Sequence, residues 1–460
     1  MYIPEIVNKV SKKLQSINAK AIIVGGYVRD SLMNCSDSKD IDIEVYGVQD
    51  IDVLKSTLEV FGPIHEVGKS FGVLKMTAEG YDLDISLPRL ESKTGSGHKG
   101  FTVSLHADIS FEQASSRRDF TMNAIGYDIH EQVYLDPHNG KKDIKNKVIE
   151  IVNAKSFMED PLRILRAVQF SARLGFVLEE NTLALCQDMV RNKMLEELPK
   201  ERIFEEMKKL LLKSEQPSKG FMLMDEMGAL FPEISLLKGV PQSPIYHPEG
   251  DVFIHTMMSL DVMAKENFDD DKEKLLLMLA VLCHDFGKPE TTVLKDGQVR
   301  AINHENVGLK PTETFIKALS DDKTLLDDIL PLVQHHLKPS QFFSQKSKSS
   351  AIRRLSVKVN LQRLIIVARA DFLGRTTKEA KNGFYEAGAW LLAEAKKLQV
   401  LTKAPVSLLQ GRDLINLGLE PGLLFKEILD KAYERQLEGE FSTYIQAQAW
   451  LVDYIQSEKV

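Results

Sequence analysis

The 460-residue sequence is poor in cysteine, in tryptophan and in long apolar runs. Its three cysteines, Cys35, Cys186 and Cys283, are too widely separated for a disulfide framework or a zinc-ligand spacing, so a reducing compartment, the cytoplasm, is expected. The longest unbroken apolar run, Leu275–Cys283, is far shorter than the ~20 residues a membrane span requires. The amphipathic Pro4–Leu14 segment, with Glu5 near its start, lacks the build of a secretion signal, and none is expected. No repeat or low-complexity tract appears, and positive charge is not in excess: the net charge is −7. That excludes a chain coated in cations, yet local basic patches that bind nucleic acid remain compatible with it. What is present is ample core material, 43% hydrophobic residues, and a length that suits about three domains.

The densest chemical signal is Ala21-Ile-Ile-Val-Gly-Gly-Tyr-Val-Arg-Asp30 followed by Lys39-Asp-Ile-Asp-Ile-Glu-Val45. It reads as an apolar strand, a Gly-Gly turn, a helix start and a second strand. Alternation along that second strand sends Asp40 and Asp42 to one face and Ile41 and Ile43 into the core. Two carboxylates on one face can hold two divalent cations, as in-line nucleotidyl transfer requires. Glycines beside them let backbone approach a triphosphate, and Arg29 in the first helical turn suits a bidentate grip on phosphate. An isolated Asp-x-Asp is ambiguous, since such pairs also decorate solvated strand edges. Tyr81–Arg89 alternates in the same way and places Asp82 and Asp84 on one face. Glu91–Gly100, with three glycines, predicts a mobile loop.

Residues 1 to about 140 alternate short strands, at 20–24, 40–46, 72–77, 82–87 and 124–128, with helical segments. From 141 the periodicity becomes helical, as in 161–174 and 202–212, and the proline-rich stretch 238–250 reads as a boundary. The expected architecture is α+β: a head at 1–140, an all-helical neck at 141–237, a histidine-rich helical domain at 251–371 and a helical tail at 372–460.

With Ser116-Arg-Arg-Asp-Phe-Thr-Met-Asn-Ala124 and Glu159-Asp-Pro-Leu-Arg-Ile-Leu-Arg166 added, the chain resembles class II CCA-adding tRNA nucleotidyltransferases of the polymerase β-like superfamily, which also holds bacterial poly(A) polymerases. The resemblance implies that Asp40 and Asp42 bind catalytic Mg2+, that Asp84 is a third carboxylate of the site, and that Gly26, Arg29, Arg118 and Asn123 contact nucleotide. It further implies that Asp160 and Arg163 read the edge of the incoming base, accepting and donating hydrogen bonds as a nucleic-acid template would, with Arg166 a further nucleotide contact. Gln169 departs from the arginine found there in several relatives. A flexible loop at 91–100 counts against an enzyme that adds only CC.

Six of the eleven histidines lie between 247 and 336. His255, His284-Asp285 and Asp371 reproduce the order of ligands in HD-domain phosphohydrolases, which implies a divalent transition metal or Mg2+ there, with His304 and His336 lining substrate phosphate or a second metal. With this unit attached, the resemblance narrows to the multifunctional bacterial type, associated with 2′,3′-cyclic phosphodiesterase, 2′-nucleotidase and phosphatase activities. Between Lys338 and Ala370 stand eight Lys or Arg and no acidic residue, which reads either as an RNA-binding stripe with Phe342 and Phe343 or as a solvated helix face. Gln410–Asp430 resembles a tail segment that implies contact with the tRNA elbow. The expected partners are tRNA, ATP and CTP, with no membrane and no DNA. Three competing activities stay open: poly(A) synthesis, A-addition alone, and HD phosphohydrolysis with the head as a tRNA-binding module.

Overall fold

The alternation around Asp40 is realised as a strand on which Asp40 and Asp42 are exposed while Ile41 and Ile43 are buried. In a computed structural model describing residues 1–35, 38–67, 73–93, 101–105 and 109–458, the head forms a seven-stranded sheet. Its strands are β1 (Lys20–Val24), β2 (Asp40–Tyr46), β3 (Ile64–Val67), β4 (Val73–Ala78), β5 (Tyr81–Ser86), β8 (Gly126–Asp128) and β9 (Val133–Leu135). The order is β3-β4-β5-β2-β1-β8-β9, and among these neighbours only β2 and β5 run parallel. Ile41, Ile43 and Val45 of β2 pack into a core with Ile23, Leu83 and Ile85 and the helix Glu5–Gln15, whose Ile6, Val7, Val10 and Leu14 are buried.

Strands β6 (Arg89–Lys93) and β7 (Phe101–Leu105) pair antiparallel, so the start of the expected loop is strand; residues 94–100, where the rest of that expectation falls, lie outside the described residues. The strand expected at 124–128 begins later, because Thr121–Asn123 form a 3-10 turn first.

The chain divides into two compact units: Met1–Ser214 with Lys219–Leu230, and Glu215–Ser218 with Phe231–Val460. The first holds the sheet together with the helices Leu162–Leu174 and Lys200–Lys213. Leu162–Leu174 buries Ile164, Leu165, Val168 and Phe170 and stops at Gly175, whose φ of 68° is the left-handed conformation that ends helices.

The second unit is helical apart from a hairpin, Thr292–Lys295 with Gln298–Ala301. At its centre Asp271–Cys283 runs buried from Leu275 onward. Among the described residues no helix is long and apolar enough to cross a membrane.

Candidate active sites

In the head, parallel pairing sets Asp40 opposite Asp82 and Asp42 opposite Asp84. All four carboxylates line a pocket of about 500 Å3, joined by His65, Lys75 and Thr77. Lys75 Nζ lies 2.7 Å from Asp84 Oδ2, and Thr77 donates to Asp82 at 2.6 Å. Burial pushes the Asp42 carboxyl up, Arg118 pulls it back, and Asp84 and Glu44 add to the rise. Carboxylate oxygens lining one pocket are hard donors of the kind divalent cations such as Mg2+ take.

Asp42 also lines an adjoining cleft of about 410 Å3, together with Arg118, Asp160, Arg163, Arg166 and Arg202. The Gly-Gly turn packs beside Asp42, and the constraint falls on Gly25. Gly25 has φ 73° and ψ −139°, and a Cβ there would stand 3.1 Å from Asp42 Oδ2, whereas one on Gly26 would meet nothing nearer than Arg29 at 3.6 Å. Arg118 is held by Glu44, its NH2 2.7 Å from Oε1, and Glu44 also accepts from Tyr46 at 2.9 Å. Burial opposes ionisation of Glu44, but Arg118 and Arg117 outweigh it and hold the carboxyl below its usual value.

Arg29 is buried rather than presented. Its Nε lies 2.8 Å from Asp30 and its NH1 2.7 Å from Asn123 Oδ1, while the guanidinium lies over the Phe170 ring. Asn123 in turn donates to Asp119 at 3.0 Å. Asp119 receives Arg166 at 2.6 and 2.7 Å; burial alone would raise its carboxyl, and Arg166 with Asn123 holds it low. Arg29 and Asn123 therefore brace the layer behind the cleft, and Arg118 and Arg166 face it.

Asp160 accepts from Arg202 NH2 at 2.9 Å and from the Leu162 backbone at 3.2 Å, and Arg163 donates to the Arg117 and Ser156 carbonyls at 2.6 and 2.9 Å. Arg202, Glu44 and Lys75 were missed by sequence reasoning. Glu44 had a signal, the third same-face position of Asp-x-Asp-x-Glu; Arg202 had none, since its partner lies far off in the sequence, in the turn before the helix Leu162–Leu174. Gln169 is buried, and its Oε1 has no hydrogen-bond partner.

In the second unit His255, His284, Asp285 and Asp371 converge, all buried. His255 Nε2 lies 3.1 Å from Asp371 Oδ1 and 3.9 Å from Asp285 Oδ2; His284 Nε2 lies 3.2 Å from Asp285 Oδ2. His304 Nε2 stands 3.4 Å from Asp285 Oδ1 and 3.3 Å from His336 Nε2. Each ring is pinned through Nδ1: His284 to the Val281 carbonyl at 2.6 Å, His304 to Ala301 at 2.8 Å, His336 to Val333 at 2.7 Å and His255 to Glu249 at 2.8 Å. An Nδ1 facing a carbonyl or carboxylate must donate, so in each neutral ring Nε2 turns a lone pair inward. His284 Nε2 and Asp285 Oδ2 are buried without a hydrogen bond. Lys288 Nζ lies 2.7 Å from Asp285 Oδ2 and Arg375 NH2 2.9 Å from Asp371 Oδ1, and the clustered imidazole nitrogens and Asp285 carboxylate beside them are a mixed donor set that suits a divalent transition metal or Mg2+.

Glu249 and His247 were also missed, because 238–250 reads as a loose boundary. The Glu249 side chain is buried, its Oε1 takes both His255 and His247, and its Oε2 accepts from the Thr376 backbone at 3.1 Å. Burial holds the His247 imidazole down at about 4, against the pull of Glu249.

Three of the eight cations in 338–370 are ion-paired within this unit. Arg354 pairs with Glu434 and Glu438, Arg363 with Glu273 and Asp328, and Arg369 with Glu266. Phe343 packs near Trp390, ring centroids 5.9 Å apart. These three arginines fit the helix-face alternative, and the choice for the other cations stays open.

Comparison with known proteins matches residues 21–150 to the poly A polymerase head domain, 175–237 to a probable RNA and SrmB-binding site of polymerase A, and 252–375 to the HD domain. The multifunctional CCA protein of Pasteurella multocida is 36% identical over 372 residues, covering 78% of this chain and 84% of that protein. That of Acinetobacter baylyi is 37% identical over 357 residues, covering 76% and 80%. The Bacillus stearothermophilus CCA-adding enzyme, solved with CTP, has the same fold: TM-score 0.66, 21% identity, 98% of this chain and 97% of that one covered. Identity of this extent along most of the length of multifunctional CCA proteins, joined to the head, RNA-binding and HD matches, makes the chain a member of the multifunctional CCA protein family.

Proposed function

We propose that the chain adds CMP and AMP, from CTP and ATP, to the 3′ end of tRNA without a nucleic-acid template, and that its HD centre hydrolyses phosphate esters. The observation that most supports the first activity is that Asp42, on the carboxylate face, and Asp160 with Arg163, the base-reading pair, line one cleft. A nucleotide whose base reaches Asp160 and Arg163 thus has its phosphates beside Asp42. CCA-adding enzymes of this fold have been solved with CTP, with ATP and with tRNA.

Asp40, Asp42 and Asp84 would hold Mg2+, which supplies a more acidic 3′ hydroxyl and charge relief on the departing pyrophosphate. The chain's own residues do the rest. Arg118, oriented by Glu44, and Arg166, oriented by Asp119, offer fixed donors to triphosphate oxygens. Asp160 and Arg163 accept from and donate to the base edge, Asp160 held by Arg202 and Arg163 by two backbone carbonyls. Arg29 and Asn123 keep that wall rigid from behind. In the HD centre His255, His284, Asp285 and Asp371 would hold the metal, which supplies a hydroxide nucleophile at neutral pH. Lys288 and Arg375, at the same cavity, bind the ester's phosphate oxygens. The tail from residue 372 is assigned to tRNA.

The test is extension of a tRNA transcript lacking its CCA end with Mg2+, CTP and ATP, resolved at single-nucleotide length. Growth by three nucleotides that then stops is expected. An open ladder with ATP alone, growth only on a CC-ended transcript, or no growth would replace this reading with poly(A) synthesis, A-addition or HD hydrolysis alone.

A further inference from the structure

The register of the head sheet sets one residue from each of four strands in a row across the acidic face. Asp42 on β2 stands opposite Asp84 on β5, Asp84 opposite Lys75 on β4, and Lys75 opposite His65 on β3. The row thus passes from two carboxylates to an ammonium and an imidazole, and all four side chains line the pocket of about 500 Å3.

The rows on either side of it divide the sheet between two spaces. Two residues on along the strands, Glu44, Ser86 and Val73 line the arginine cleft; two residues back, Asp40, Asp82 and Thr77 line the carboxylate pocket. Asp42 lines both and marks the border. A nucleotide held by Arg118 and Arg166 has its triphosphate in the cleft, and in-line displacement brings the attacking hydroxyl from the side opposite the departing pyrophosphate. The terminal nucleotide of the acceptor therefore enters the carboxylate pocket. The phosphodiester that joins it to the rest of the RNA is an anion, and the wall it meets holds Asp40, Asp42, Asp82 and Asp84. Lys75 alone among the lining residues carries a fixed positive charge. Its side chain is 51% exposed and its Nζ lies 2.7 Å from Asp84 Oδ2, so the ammonium is within reach of an incoming strand. Asp84 is also one of the carboxylates assigned to Mg2+, and a carboxylate that shares its charge with a dication holds an ammonium less tightly.

We propose that Lys75 binds the last internucleotide phosphate of the acceptor RNA and so presents the 3′ hydroxyl at the border marked by Asp42. This rests on the nucleotidyl-transfer reading above. It divides the cations of the head by substrate: Arg118 and Arg166 serve the incoming nucleotide, and Lys75 serves the strand that is extended.

The test uses the full-length protein and two tRNAs lacking CCA, identical except that the last internucleotide linkage of one is a methylphosphonate, which has no negative charge. At saturating CTP the wild type is expected to show a KM about tenfold lower for the phosphodiester tRNA. Lys75→Ala is expected to raise that KM about tenfold while leaving the KM of the methylphosphonate tRNA and of CTP unchanged, with Lys75→Arg restoring most of the preference. Equal losses on both tRNAs would overturn the proposal and leave Lys75 a counter-charge for Asp84; a loss confined to the KM of CTP would overturn it and move Lys75 to the incoming nucleotide. Filter binding of the two tRNAs in Mg2+ without CTP reads the same preference with no chemistry. Should the wild type extend neither tRNA, a binding preference that Lys75→Ala abolishes still supports the contact while the nucleotidyl-transfer reading fails. A wild type without any preference, or a Lys75→Ala variant that keeps it, refutes the contact.

Discussion

Replacing Gly25 with alanine tests whether the glycine turn serves the carboxylates or merely turns the chain. At φ 73° and ψ −139° an L-residue occupies backbone space that glycine alone enters freely, at a cost of ~1–3 kcal/mol. The new Cβ would also stand 3.1 Å from Asp42 Oδ2, tight enough that the carboxylate must give way. About 2 kcal/mol corresponds to a fall in Tm of roughly 4–8 °C for a unit of this size. Displacement of Asp42 strikes kcat besides. The control is Gly26→Ala: inside the helix Gly26–Leu32, with ordinary space around its Cβ, it should be neutral or stabilising by ~0.5–1 kcal/mol. Differential scanning calorimetry paired with single-nucleotide CMP incorporation measures both. If Gly26→Ala destabilised the head as much as Gly25→Ala, or if Gly25→Ala kept full kcat, the argument from backbone geometry would be wrong.

Arg202→Ala should cost little stability, because the pair with Asp160 is about one-third exposed, yet free Asp160 to turn; the expected result is a KM for CTP and ATP raised about fivefold with more UTP misincorporated, read by single-turnover kinetics. His284→Ala should remove metal from the HD centre, measured by mass spectrometry of the dialysed protein, and abolish ester hydrolysis while CCA addition persists; Asp40→Asn with Asp42→Asn should do the reverse. The Asp119 carboxyl is held below its ordinary value of 3.8, so its ionised form stabilises the head above that pH, and the contribution fades as pH falls through the lowered value. Asp119→Asn should therefore lower Tm at pH 7 and flatten the acid limb of a Tm-against-pH curve below about pH 4.

Much of the head was legible because strand alternation is a local property: counting residues puts Asp40 with Asp42 on one face of β2 and Asp82 with Asp84 on one face of β5, and the β2–β5 register brings the two pairs together. The HD quartet was legible from ligand order. What escaped notice was held by distant partners or by irregular backbone. Arg202 meets Asp160 only because two helices pack side by side, and the acidic residues that neutralise Arg354, Arg363 and Arg369 sit on other helices. Gln242, His247 and Glu249 lie in a stretch whose prolines and glycines erase any periodicity. That same irregularity lets the chain wrap beneath His255. Arg29 shows the opposite lapse: its place after the glycines suggested a phosphate grip, and burial against Phe170 gives it a bracing part.

The parallel pairing of β2 with β5 has a consequence for how the protein matures. The hairpin of β4 and β5 closes between near neighbours in the chain, but Asp42 reaches Asp84 only after a helix and two further strands have been threaded between them. A slip of one residue in that late pairing would turn one strand's carboxylates toward the apolar layer, which the buried Ile41, Ile43, Leu83 and Ile85 forbid. The four carboxylates therefore share one pocket only when β2 and β5 pair in this register, so the burial of four apolar side chains is what sets the spacing of the acidic face.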